Sequence, residues 1–362
     1  MNHVKKALII TDKKWRSGEK WFAFKLAKAL RNNGWAVHFI TAKEGFPRTS
    51  AIEGNYPLWE TLDPRSENPL TFLNSFIQFN KRIKQEQTTH IFSFCGIGHL
   101  WMASARNVKK IQIRMEARPS KKHFFSKVLY QKKSDLVILP NEQAIKDQKL
   151  GAGLPPKGYH KTVGFINLEK FNPEIPKAND ILARNDMLTL GLVGRITQVK
   201  GHAIAIQALK ILNDRGINCR LICVGEESGV TQQELKDLAE QNSCKNQLIF
   251  TGRRDDVPAI MQVCDIGIIP SINSEYTVRA SLEWLASAKP IVTSKVGSLP
   301  EITEPSYGVS IAPMEPVALA DAIQKISGRH KEMGQNAREK AETVFSEEIF
   351  YQQLLGQLER LE

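Results

Sequence analysis

The sequence predicts an α/β protein built from two doubly wound halves, and three observations carry that prediction. Short runs rich in Val, Ile, Leu and Phe alternate with amphipathic helical stretches along the whole chain, as in parallel sheets covered by helices. At 362 residues there is length for two domains of ordinary size, each with its own core. The alternation is interrupted once, by a looser stretch at 167–185 containing Pro173 and Pro176, and then starts again. The expected organisation is an N-terminal domain over 1–166, a linker over 167–185, a C-terminal domain over 186–345, and a last helix over 346–362 returning toward the N-terminal domain.

In the first half, VKKALIIT (4–11) reads as a strand, followed by a polar loop and a helix from about Gly18 to Asn33. Asn33-Gly34 ends that helix, and WAVHFIT (35–41) is the second strand of a strand–helix–strand unit. The connecting loop lacks G-x-G-x-x-G, which argues against a dinucleotide enzyme. Residues 68–85 suit a helix, and HIFSFC (90–95) is a buried strand ending at Gly96-Ile97-Gly98-His99. KIQIRME (110–116) is the next strand and delivers Arg114, Glu116 and Arg118 to the edge that carries His99, where open α/β sheets bind ligands. Within 118–133, Phe124, Phe125, Val128, Leu129 and Tyr130 gather on one side of a helix flanked by Lys121, Lys122, Lys127, Lys132 and Lys133. Such a helix suits either the headgroup zone of an anionic membrane or packing against the sheet. Strand and helix follow over 134–150, and a short strand begins at Thr162.

The second half repeats the plan. Strands fall at 188–193, 218–224, 247–250, 265–270, 290–293 and 309–312, with helices between them and three more at 317–327, 330–344 and 348–361. Between the first strand and its helix lies Gly194-Arg195-Ile196-Thr197-Gln198-Val199-Lys200-Gly201. One Arg and one Lys just past a strand suit a diphosphate, since arginine grips two oxygens and lysine adds a compact charge. After the strand at 265–270, a loop carrying Glu275 leads into a helix from Val278 that carries Glu283. Backbone amides at that helix start, around Tyr276, Thr277 and Val278, suit a phosphate, and the flanking carboxylates suit hydroxyl groups. Taken alone, the segment reads as a capping Ser274 with two solvated glutamates.

Charge is unevenly divided. Residues 1–180 hold 31 Lys+Arg against 15 Asp+Glu, and the remainder holds 19 against 23. The basic half implies an anionic partner. No recognised nucleic-acid module accompanies it, so nucleic acid is not expected. The five cysteines have no zinc or redox spacing and read as reduced core thiols. No run approaches about 18 consecutive apolar residues. The N-terminus runs directly into a strand, so a cytoplasmic protein, working at the inner face of the membrane, is the expectation.

GLVGRITQVKGHAIAIQAL, VGEESG, FTGRRDDVPAIMQVCDIGIIPS, SEYTVRASLEWLASAKPIV and GSLPEI resemble, in order and spacing, the family-four retaining glycosyltransferases of bacterial envelope polysaccharide and lipopolysaccharide synthesis. The resemblance spans residues 185–305 and is looser before 180. It implies the GT-B fold, two Rossmann-like domains facing across a cleft. It also implies a nucleotide-diphosphate-sugar donor, with neither metal nor cofactor, and an anionic or lipid-linked acceptor such as lipopolysaccharide core. By the resemblance, Gly194, Arg195 and Lys200 hold the donor diphosphate, Glu275 lies near the sugar and Glu283 on the ribose. Arg253 frames the base, and Gly18 approaches the distal phosphate, with Ser17 where the family has a first glycine. The departures are Tyr276-Thr277-Val278 in place of Gly-Phe-Gly, and Gly164-Phe165 in place of Asn-Gly. Glu116 stands where the family has a histidine on the donor sugar, with His99, Arg114, Arg118 and Arg279 as further residues on the acceptor or sugar side. The alternatives are an epimerase or phosphorylase on the same fold and a non-catalytic nucleotide-sugar binder.

Overall fold

The computed structural model describes residues 4–11, 18–42, 44–60, 68–115, 120–181, 186–273 and 279–361, with the side chains of 18–21 left out. The chain divides into two compact units, one formed by 1–162 with 351–362 and the other by 163–350.

The first unit contains β1 (Lys6–Thr11), α1 (Gly18–Asn32), β2 (Ala36–Thr41), α2 (Phe46–Glu53), α3 (Pro69–Gln85), β3 (His90–Ser93), α4 (Gly96–Ser104), β4 (Lys109–Ile113), α5 (Phe124–Lys133), β5 (Leu136–Leu139), α6 (Glu142–Leu150) and β6 (Tyr159–Lys161). The strands pair in the order β2-β1-β3-β4-β5-β6, all parallel. Right-handed crossovers then put α1 on one face and α3 to α6 on the other. Leu8, Ile10, Phe79, Ile91 and Trp101 are buried in the core between sheet and helices. Pro69 opens α3 where its missing N–H costs nothing, and Asn68 Oδ1 accepts from the amides of Leu70 (2.9 Å) and Thr71 (3.3 Å).

Two helices differ from expectation. Gly96 to His99, read as a strand-end loop, begins α4, because the Cys95 thiol accepts from Gly98 N–H at 3.2 Å and stands in for a conventional cap. α5 begins only at Phe124, where the His123 ring accepts from Ser126 N–H at 3.1 Å. Its apolar residues do not share one environment: Tyr130 is buried, Val128 and Leu129 half-buried, and Phe124 and Phe125 exposed.

The second unit contains β7 (Leu188–Val193), a 3₁₀ turn (Gln198–Lys200), α7 (His202–Asp214), β8 (Cys219–Val224), α8 (Gln232–Gln241), β9 (Leu248–Gly252), α9 (Val257–Val263), β10 (Ile266–Ile269), α10 (Arg279–Ala286), β11 (Ile291–Ser294), α11 (Leu299–Ile302), β12 (Gly308–Ile311), α12 (Pro316–Ser327) and α13 (His330–Thr343). Its sheet runs β12-β11-β10-β7-β8-β9. The order reverses between β10 and β7, which makes that gap the switch point of the sheet. The expected linker is, over its described part, a packed strap. Phe171, Ala178 and Ile181 are buried in this unit's core, Ala178 N–H donates to Ala259 O at 3.1 Å, and Arg254 grips Asp180. Its prolines mark irregular backbone rather than freedom from the core.

α14 (Glu347–Glu359) starts in the second unit and finishes in the first. There the Tyr351 hydroxyl donates to Lys25 O at 2.8 Å, and Leu361 O accepts from Lys157 at 2.6 Å and also from Lys109.

Candidate functional site

At the carboxyl edge of the second sheet the loops are tied to one another by backbone hydrogen bonds. After β7, Gly194 N–H donates to Val224 O at 2.9 Å and Ile196 N–H to Glu226 O at 2.8 Å, joining this loop to the one after β8. Gly225 N–H donates to Gly252 O at 2.9 Å, which adds the loop after β9. Gly225 passes so close to Gly194 that a Cβ would stand 2.0 Å from Gly194 O. Across the switch point, Ile272 N–H donates to Val199 O at 2.9 Å. Gly201, at φ +71°, leaves its missing Cβ 1.9 Å from Pro270 O. No other residue type fits both that approach and that φ.

This weave puts the loop of the basic pair beside residues 270–272, on the chain that continues to α10 and its Glu283. Arg195 is exposed on the first loop. A Cβ at Gly194 would lie 3.5 Å from Lys200 Cδ and Cε, so the lysine stem folds back across the glycine toward the strand end. His202 opens α7 directly beneath. It is buried, and burial together with the neighbouring Lys200 charge lowers its pKa to about 4, so it is neutral near pH 7.

On the other side of the switch point, α10 is held against the sheet by Trp284. A Cβ at Gly191 of β7 or Gly267 of β10 would lie 2.3 Å and 2.5 Å from its ring, so both glycines open a slot for the indole. Glu283, one residue earlier, is buried at 6% exposure, and its Oε1 accepts from Arg279 Nη2 at 3.0 Å. Arg279, expected on the sugar side, makes this contact one turn along its own helix, because the four-residue spacing places the two side chains together. Arg253 is exposed directly after β9, whereas Arg254 is engaged by Asp180 and Asp256. Among the expected residues, Arg195, Lys200, Gly194, Arg253 and Glu283 thus lie on the carboxyl-edge loops of one sheet or on the helix that follows. Glu275, Tyr276, Thr277 and Val278 lie outside the described residues.

The first unit holds the remaining candidates. Gly18 starts α1 after β1. Glu116 and Arg118 lie outside the described residues. His99 is a packed side chain, 2% exposed, so the expectation that it faces an acceptor is corrected. Its ring meets Tyr130 edge-on at 4.5 Å. The Ser134 hydroxyl donates its proton to Leu129 O and accepts from His99 Nε2 at 2.8 Å. Burial is the main reason its pKa falls to about 4, and the Arg114 charge adds to the fall. Arg114 donates to the buried Gln148 and lies over the Tyr130 ring at 5.9 Å. The sequence could not separate these roles, since strand-end position is common to packed and ligand-facing residues.

The glycine approaches at Gly201 and Gly225, the slot for Trp284 and the Ile272–Val199 bond were missed from sequence. Only the glycines left a signal, and a single glycine does not say what approaches it.

Residues 175–343 match the family model described as glycosyl transferases group 1. Over 236 residues the chain is 27% identical to the amylovoran biosynthesis glycosyltransferase AmsK of Erwinia amylovora, covering 62% of this chain and 56% of that one. It spans about half the length of the curated relatives it matches. Two solved structures are similar over nearly the full length. A glycosyltransferase of Rickettsia africae has a TM-score of 0.85 at 18% identity, covering 99% and 98% of the two chains. HepE of Anabaena in complex with UDP has a TM-score of 0.81 at 19% identity, covering 98% and 100%. At such identity the likeness is one of fold, and the fold is GT-B.

Proposed function

We propose that the protein, whose residues 175–343 match the glycosyl transferases group 1 model and whose fold is GT-B, transfers a sugar, with retention, from a nucleoside diphosphate sugar to an envelope polysaccharide or lipid-linked acceptor. The observation that carries this is the switch point of the second sheet. The Ile272–Val199 hydrogen bond ties the loop bearing Arg195 and Lys200 to the segment leading into α10 and its buried Glu283. AmsK belongs by its name to polysaccharide synthesis and HepE was solved with UDP, which supports both the product class and the donor class.

The chemistry follows from charge. Breaking the bond between sugar and diphosphate leaves growing negative charge on the leaving group, and fixed cations aimed there lower the barrier. Arg195 and Lys200 fill that role, and the backbone amides of Tyr276, Thr277 and Val278 are assigned to it by the family resemblance. Glu283, already short of water, holds ribose hydroxyls as an acceptor of hydrogen bonds. Glu275 and Glu116 are assigned to the sugar side, and Gly18 to the distal phosphate. In a same-face reaction the leaving phosphate takes the acceptor's proton, so no protein base and no metal or cofactor is invoked.

Thermal-shift screening against UDP, GDP, ADP and CMP sugars tests the reading. At least one is expected to stabilise the protein, with affinity reduced about tenfold to hundredfold in Lys200→Ala and Glu283→Ala. Stabilisation by none of them would overturn it. Release of nucleotide with an altered sugar and no acceptor would indicate an epimerase or phosphorylase instead.

A further inference from the structure

Positive charge in this protein is concentrated in one part of the first unit. Residues 68–133 hold 13 Lys+Arg and two Glu, a net of +11 against +12 for the whole chain. That segment supplies α3, α4 and α5, neighbouring helices on one face of the first sheet. Phe72 of α3 meets Trp101 of α4 at 6.0 Å, and His99 of α4 meets Tyr130 of α5 at 4.5 Å. Each helix follows a strand and leads to the next parallel one, so all three run back from the carboxyl edge and have their N-termini at that end.

Large apolar side chains are exposed at that same end. On α5 Phe124 is 81% exposed and Phe125 56%, beside the exposed Lys121, Lys122 and Lys127. On α3 the buried face carries Phe79 and Ile83, while Leu70, Leu73 and Ile77 lie on the opposite side at 77%, 55% and 58% exposure. They recur at three- and four-residue steps, and exposed Lys81 and Lys84 continue the stripe. Ile97 and Leu100 of α4, between them, are half-exposed.

We propose that this end of the α3–α4–α5 layer docks on an anionic lipid bilayer, with Leu70, Leu73, Ile77, Phe124 and Phe125 entering the headgroup zone and the lysines meeting lipid phosphates. Exposed apolar side chains flanked at α5 by Lys121, Lys122 and Lys127 and followed on α3 by Lys81 and Lys84, with so little acid, match the requirements of an interfacial surface. A second copy of the chain is disfavoured as occupant, because the same charge would face itself. The docking stands on this surface alone. Only its purpose, to meet a lipid-linked acceptor, rests on the transferase reading.

Flotation of the full chain with phosphatidylcholine vesicles, with and without phosphatidylglycerol, tests it. Binding is expected only to the anionic vesicles and is expected to fall steeply from about 0.1 M to 1 M salt. Phe124→Ser with Phe125→Ser, Leu73→Ser with Ile77→Ser, and Lys121→Glu with Lys122→Glu should each weaken it about tenfold or more. Because every substituted side chain is exposed, the melting temperature and the nucleotide-sugar thermal shift should be unchanged, which separates this outcome from failure of the transferase reading. Equal binding to neutral vesicles, no effect of the substitutions, or a dimer in sedimentation that the same substitutions dissolve would overturn the proposal.

Discussion

Two buried histidines give the protein a specific response to acid. His99 and His202 have pKa values lowered to about 4, chiefly by burial, whereas in the unfolded chain each titrates at the ordinary 6.5. Between those values the unfolded state binds more protons, so stability falls as pH drops from about 6.5 to about 4, by roughly 1.4 kcal/mol per pH unit for each residue. Urea unfolding at about pH 7 and about pH 5 should show this, and His99→Gln should remove its share of the slope while keeping a donor for Ser134. Gly201 admits no side chain, because its φ is +71° and a Cβ would stand 1.9 Å from Pro270 O. Gly201→Ala forces the Pro270 carbonyl away, and is expected to cost about 2 kcal/mol or more and to weaken nucleotide-sugar binding. That Arg195 and Lys200 follow a strand and that Glu283 lies on a helix was legible in the sequence, from apolar runs alternating with helical stretches. The close approaches that bring their loops together were not, because backbone contacts leave no pattern in side-chain chemistry.

At the scale of elements, α10 illustrates both what could be read and what could not. Its extent was plain from composition, but its seating depends on two glycines on different strands. Gly267→Ala should drive a methyl group into the Trp284 ring, destabilise the second unit by about 1–3 kcal/mol and lower its melting temperature measurably by calorimetry. The helix ends with Ala288 at φ +56°, with Lys289 N–H donating to Trp284 O and Ala288 N–H to Leu285 O, both at 3.0 Å. This arrangement normally takes glycine at that position. Ala288→Gly is therefore expected to raise stability by about 0.5–1 kcal/mol in a denaturant titration. Strand positions were legible throughout, since fully buried parallel strands are continuous apolar runs. α4 was not: a helix without charge, capped by a cysteine thiol, has the composition of a strand and its turn.

For the whole molecule, two parallel sheets and the return of the last helix to the first unit followed from the sequence, yet the linker did not. Sequence placed a linker where the prolines are, whereas Phe171, Ala178 and Ile181 are core residues of the second unit. The first unit in turn is discontinuous, drawing on 351–362 at the end of the chain. Residues 163–350 should accordingly fold as an isolated fragment with cooperative melting. A fragment ending at 162 should be markedly less stable until a peptide carrying 351–362 is added, as circular dichroism would show.

The second unit is thus a guest inserted into its host, and this arrangement sets an order of events on the ribosome. The guest's sequence is complete once residue 350 has emerged, while the host still awaits the segment 351–361, whose Tyr351 and Leu361 bond to Lys25, Lys109 and Lys157. Protease resistance on stalled nascent chains should therefore appear first in the later-made half of the polypeptide, the reverse of the usual N-to-C progression.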